Sequence, residues 1–241
     1  MYSKLRVPAL IGVALLACSQ ADYSDKQPLD PAGLVEQGKL RLSDGDASRA
    51  IASFRTALLQ DSLNSEAMAG LSRAYGLQKR VELAAVYLRR ASAAAYEIGI
   101  AALDSGEYER AEAAFNHALD MVPRHPLALI RLGEIAGRKG ERIRAIELFE
   151  RATEANPGYA EGFVRLGSEH ALQQDPEKAR AAFERAIEVN INSPGAYMGL
   201  GDLLSSEGRW VDAANQYDKV LLIDPQSEAA KTALRRVRDQ L

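Results

Sequence analysis

One cysteine, three histidines and an aromatic share of 6% set the first limits on this chain of 241 residues. A lone Cys18 excludes an internal disulfide and any cysteine-rich metal site. His117, His125 and His170 stand too far apart to show a metal-ligand spacing, so no metal is expected. The formal charge is only −3, which leaves no basic field to draw in nucleic acid. The uncharged run Val7–Ala17 falls well short of the about 20 residues a membrane-spanning helix needs. Also missing are HExxH, G-x-S-x-G and GxxxxGK[ST], and paired acids such as Glu107 and Glu109 sit at solvating spacings. No catalysis, no cofactor and no small-molecule substrate is expected. What is present is a hydrophobic share of 47% and a charged share of 26%, enough for a packed soluble body. Recurrent alanine and leucine lean toward helix over sheet.

The first residues read as a secretory leader: Lys4 and Arg6 precede the short apolar run, which ends on a small residue. Leu15-Leu16-Ala17-Cys18 resembles the bacterial lipobox. That resemblance implies cleavage after residue 17 and lipid on Cys18, with several acyl chains giving durable anchoring. Removing Lys4 and Arg6 takes the charge from −3 to −3 − 2 = −5. Ser19 stands where the family's inner-membrane signal is aspartate, so the resemblance implies the periplasmic face of the outer membrane. The alternative is an ordinary cleaved leader and a soluble periplasmic protein. Residues 18–31 are polar, carry two prolines and read as a flexible tether.

Behind the tether the chain repeats. Gly99, Gly133, Gly167 and Gly201 are 34 residues apart. The same step links Ala111, Ala145, Ala179 and Ala213, then Phe115, Phe149, Phe183 and Tyr217, then Ala118, Ala152, Ala186 and Val220. Pro123, Pro157 and Pro225 close three of these units, with Ile191 in the remaining slot. Ahead of each glycine lies an amphipathic stretch such as Leu127, Leu129, Ile130 and Leu132. Seven residues after it comes a turn, carrying Gly106, Gly140 or Gly208. The unit is therefore helix, tight turn, helix, loop.

This pattern resembles the tetratricopeptide repeat family. The implied fold is all-α: a right-handed superhelical solenoid of about six helix pairs plus a C-terminal capping helix. The units fall at 31–64, 65–91, 92–125, 126–159, 160–193 and 194–227, with 228–241 as the cap. The first unit keeps Gly38, Ala50 and Phe54, while the second has Ser72 in the glycine column. From Ser72 to Gly99 is only 27 residues, so seven are missing where a loop belongs. No glycine or proline interrupts the stretch from Arg80 to Ile98. The second helix of unit 65–91 is therefore expected to run into the next helix, continuously or through one sharp turn near Ser92. Seven residues is about two helical turns, so continuity would preserve the buried face.

In this family the first helices line a concave groove. By the family's groove positions, the residues facing a partner are Val35, Lys39, Arg73, Tyr96, Ile100, Leu127, Ile130, Glu134, Arg138, Val164, Met198 and Asp202. The lysine at position 5 and asparagine at position 9 of a unit that grip a C-terminal carboxylate in some relatives have no counterpart here, since those positions are apolar or differently charged, as with Val35 and Lys39. An extended or helical peptide held by apolar anchors suits the set better. The resemblance implies a membrane-anchored protein–protein interaction scaffold of the bacterial envelope, assisting assembly of a pilus or secretion machine. The second reading is an adaptor that docks peptidoglycan hydrolases or synthases.

Overall fold

The computed structural model describes residues 29–241. The leader, Cys18 and the tether as far as residue 28 lie outside the described residues. Twelve helices follow one another, and among the described residues there is no strand. They are α1 (Pro31–Ser43), α2 (Ala47–Gln60), α3 (Ser65–Leu77), α4 (Val81–Asp104), α5 (Tyr108–Met121) and α6 (Pro126–Arg138). Then come α7 (Arg142–Ala155), α8 (Ala160–Leu172), α9 (Pro176–Val189), α10 (Pro194–Ser206), α11 (Trp210–Ile223) and α12 (Glu228–Arg238).

The helix starts are written in the sequence. Asp30, Asp46, Asn64, Asp175 and Ser227 each accept a hydrogen bond from the backbone N–H three residues on, satisfying a donor that the first turn leaves unpaired. Pro31, Pro126, Pro176 and Pro194 open helices, where a missing N–H costs nothing. Pro123, Pro157 and Pro225 instead lie in the loops between pairs.

Within each pair the tight turn needs a left-handed residue. Gly45, Gly106, Gly140 and Gly208 supply it with φ of 75–79°. The equivalent slots of two other pairs hold Lys79 (φ 59°) and Gln174 (φ 61°), where a side chain is strained. Lys79 and Gly106 are 27 residues apart, whereas Gly106, Gly140, Gln174 and Gly208 keep the step of 34.

The glycine and aromatic columns explain each other. A Cβ on Gly99 would fall 2.4 Å from the Phe115 ring, and one on Gly133 would fall 2.6 Å from Phe149. It is the aromatic ring of the second helix, more than the helix backbone, that occupies the space the glycine leaves. The core is correspondingly a chain of local clusters, each shared by neighbouring helices, as a solenoid requires.

At the shortened unit the loop is gone. α4 runs unbroken through 24 residues, about 36 Å at 1.5 Å per residue, and passes Ser92 without a turn. Ser92 itself is buried, and its hydroxyl donates to the Ala118 carbonyl of α5 at 2.8 Å. The N-terminal half of α4 packs on α3 and its C-terminal half on α5. At the other end α12 seals α11 with Ala230, Leu234 and Val237 and turns Arg235, Arg236 and Arg238 to solvent.

Candidate binding cleft

A cleft with a volume of about 440 Å³ opens between α6 and α8. α6 contributes Arg131, Glu134 and Arg138, and α8 contributes Arg165, Ser168 and Glu169. The spacing is helical: 131, 134 and 138 share a face, and 165, 168 and 169 repeat it one unit later. Gly137 makes room for the Glu169 carboxylate, since a Cβ there would stand 2.9 Å from its Oε1.

The charges form a ladder. Arg131 reaches Glu134 at 2.8 Å, the other Glu134 oxygen meets Arg165 at 3.1 Å, and Arg165 meets Glu161 at 2.8 Å. Arg142 sits 3.5 Å from Glu169. Arg138 donates to the Tyr108 hydroxyl at 2.8 Å and has no carboxylate partner among the described residues. A smaller recess of about 220 Å³ continues the cleft toward Leu103, Asp104 and Tyr108. A partner segment laid here meets one cation without a carboxylate and two arginines already held in fixed positions. Ser168, the one hydroxyl of the lining, donates to the Val164 carbonyl at 2.9 Å.

The twelve residues expected to line a groove are placed unequally. Glu134 and Arg138 line this cleft. Ile130 and Val164, which share a column one unit apart, are buried at 3% and 8% exposure and pack into the core instead. Tyr96 is half-buried, stacked on His125 at 5.3 Å and tilted against Phe115 at 5.5 Å. Ile100 and Met198 are half-buried against core clusters. Leu127 is exposed, and Asp202 is exposed but accepts the Tyr217 hydroxyl at 2.8 Å. Desolvation first, and the Asp202 carboxylate second, push that phenol above its usual range.

Val35, Lys39 and Arg73 fall in a different place, between α1 and α3. There Ile98 of α4 closes one recess against Val35, and His117 of α5 closes another against Lys39 and Arg73. Lys39 is bound to Glu36 and Glu66, at 2.7 Å each, and the lysine hydrogen bond holds the Glu66 carboxyl below its usual range. The continuous α4 swings the chain's own α5 toward this first stretch. These three residues thus line recesses other than the α6–α8 cleft.

Arg131, Arg165 and Glu169 were not among the expected groove residues. A signal existed: Arg131 and Arg165 are 34 residues apart, two charges in a column that carries Gly199 one unit later.

Comparisons with known proteins agree with this architecture. A tetratricopeptide repeat model matches residues 35–98 and 96–160, and a second tetratricopeptide repeat model matches 170–237. Neither describes a catalytic family. No curated protein sequence matches the chain. Among solved structures, a chain of the APC/C hetero-tetramer Cut9-Hcn1 is 18% identical with a TM-score of 0.57. That match covers 88% of this chain and 43% of the other, so this chain spans less than half of that relative. Pseudomonas aeruginosa pilF is 19% identical with a TM-score of 0.50, over 87% of this chain and 83% of pilF. At these identities the likeness is one of fold. Proteins of this repeat type act as protein–protein interaction scaffolds. With repeat models matching most of its length, the chain belongs to the tetratricopeptide repeat family.

Proposed function

We propose that this protein is a lipid-anchored interaction scaffold of the bacterial envelope and that the α6–α8 cleft holds a segment of its partner. The observation that carries the reading is the cleft itself: open, and lined mainly by charged side chains of α6 and α8 above the buried Phe149 ring. The anchor rests on Leu15–Cys18 and its resemblance to a lipobox. The envelope role follows from that anchor, and pilus or secretion assembly is the system it fits best. The likeness of fold to pilF is compatible with it.

Two experiments separate the parts. Labelling cells with an alkyne palmitate tests the anchor: the native chain is expected to take up label and sediment with membranes, and Cys18→Ala to lose both. Label retained by Cys18→Ala contradicts it. Identifying the protein crosslinked at the cleft tests the system: a pilin, secretin or assembly ATPase supports assembly, whereas a peptidoglycan hydrolase or synthase supports the adaptor role instead.

A further inference from the structure

In five of the six units the aromatic-column residue of the second helix is sealed. Phe54, Phe115, Phe149, Phe183 and Tyr217 are 0–2% exposed. The sixth, Leu88, is 36% exposed. The cause is connectivity. α2, α7 and α9 are each covered by the first helix of the following unit, but α4 runs into that helix and has nothing folded back over its beginning.

Val81, Ala85, Leu88, Ser92, Gly99 and Leu103 form one stripe at 3.6 residues per turn. α5 covers this stripe from Ser92 onward, through the Ser92–Ala118 hydrogen bond and the Phe115 ring over Gly99. α5 ends at Met121, which packs beside Ala91 and Ala94. Beyond that end Val81 is 71% exposed, and Leu77, four residues earlier, is 60% exposed.

We infer that the open stretch of α4, centred on Val81, Ala85 and Leu88, is a docking site for an acidic amphipathic helix of a partner protein. The site is separate from the α6–α8 cleft. Its shape calls for a helix: everywhere else in the molecule this surface of a second helix receives one, and the uncovered length is about three turns. Two covering helices set a glycine directly against the aromatic, Gly70 over Phe54 and Gly199 over Phe183, while the same position holds Arg131 and Arg165 in two other units; a helix with a small residue there can approach closest.

Charge selects the partner. Residues 77–90 carry Lys79, Arg80, Arg89 and Arg90 against Glu82 alone, in a chain whose net charge is −3. None of these four cations meets a carboxylate among the described residues; Arg80 and Arg90 lie over the rings of Tyr75 and Tyr87. Glutamates flanking an incoming helix would pair with them. A second copy of this chain, apposed at the same face, would set basic against basic.

The test uses the full chain and two synthetic helices of about three turns, each with a central glycine and alanine–leucine packing positions. One carries glutamates on its flanks, the other lysines. Fluorescence anisotropy is expected to show saturable binding of the acidic helix, about ten-fold weaker binding of the basic one, and loss with Val81→Asp or Leu88→Asp. Val81 is exposed enough that its substitution leaves the fold intact, which circular dichroism checks. Failure of the acidic helix to bind, equal binding of the basic helix, or binding unchanged by Val81→Asp overturns the inference. So does either rival occupant: phosphatidylglycerol vesicles that take up the chain through Val81 while the helix does not, or a dimer that Val81→Asp dissociates.

Discussion

The ring of Phe183 stands between Gly167 of its own unit and Gly199 of the next. A Cβ on either glycine would come within 2.8 Å or 2.3 Å of that ring. One side chain thus fixes both the closeness of a helix pair and the spacing to the following pair. Gly199→Ala is expected to destabilise the protein by about 1–3 kcal/mol in urea melts, overpacking outweighing the gain in helix propensity. Gly76→Ala is the matched control, because a Cβ on that helical residue meets nothing within 4 Å. It is expected to stabilise by up to about 1 kcal/mol. Equal effects at the two sites would show that the ring does not set the packing.

Lys79 and Gln174 hold left-handed conformations that the matching turns assign to glycine. A left-handed side chain costs about 1–2 kcal/mol, and glycine gives back about 0.4–1 kcal/mol through the freedom of the unfolded chain. Lys79→Gly and Gln174→Gly should each therefore raise stability by about 0.5–1 kcal/mol, read as a higher denaturation midpoint at constant slope. A lowered midpoint contradicts the turn assignment.

His125 caps α6 by accepting the Ala128 N–H on Nδ1 at 3.2 Å while its ring stacks on Tyr96. Burial lowers its pKa below the ordinary 6.5, since the charged ring is poorly solvated there. With a folded value below the unfolded one, its contribution is complete above pH 6.5 and is lost as pH falls through the lowered value. Protonation also removes the acceptor that makes the cap. Thermal melts at pH 7 and pH 5 should show the native chain losing about 1 kcal/mol more than His125→Asn, which keeps an acceptor without the titration. The same loss in both proteins would place the titrating group elsewhere.

Continuity of α4 makes its own prediction. Ser92→Pro removes a hydrogen bond from the helix interior and a buried hydroxyl contact to α5, and is expected to cost about 3 kcal/mol or more. Ser92→Ala removes only the hydroxyl, whose acceptor keeps the Val122 N–H as a partner, and should cost about 1 kcal/mol. Similar, small losses from both would mean that the helix is already broken near Ser92.

The repeat was legible because its columns carry packing demands that few residue types meet: glycine under a ring, a small residue at a helix contact, a left-handed residue in a turn. The missing seven residues between Ser72 and Gly99 pointed to a fused helix for the same reason. The cleft was harder to read. Family positions assume a regular stack, but fused α4 brings Ile98 and His117 against the positions of Val35, Lys39 and Arg73. Ile130 and Val164 lie on the first helices as expected, yet neighbouring helices cover them, and which face is covered depends on crossing geometry that no single residue encodes. Arg131 and Arg165 were visible only as two charges 34 residues apart, in a column that Gly199 fills where it packs on Phe183.

The most direct test of the central claim is photo-crosslinking in living cells from the cleft. A benzophenone amino acid at Arg138 is compared with one at Glu147, an exposed residue of α7 outside the cleft lining. The account predicts one discrete adduct from position 138 that is absent at 147 and disappears when Arg165→Glu is added. An adduct at 147 alone, or one at 138 that survives Arg165→Glu unchanged, would place the partner elsewhere on the solenoid.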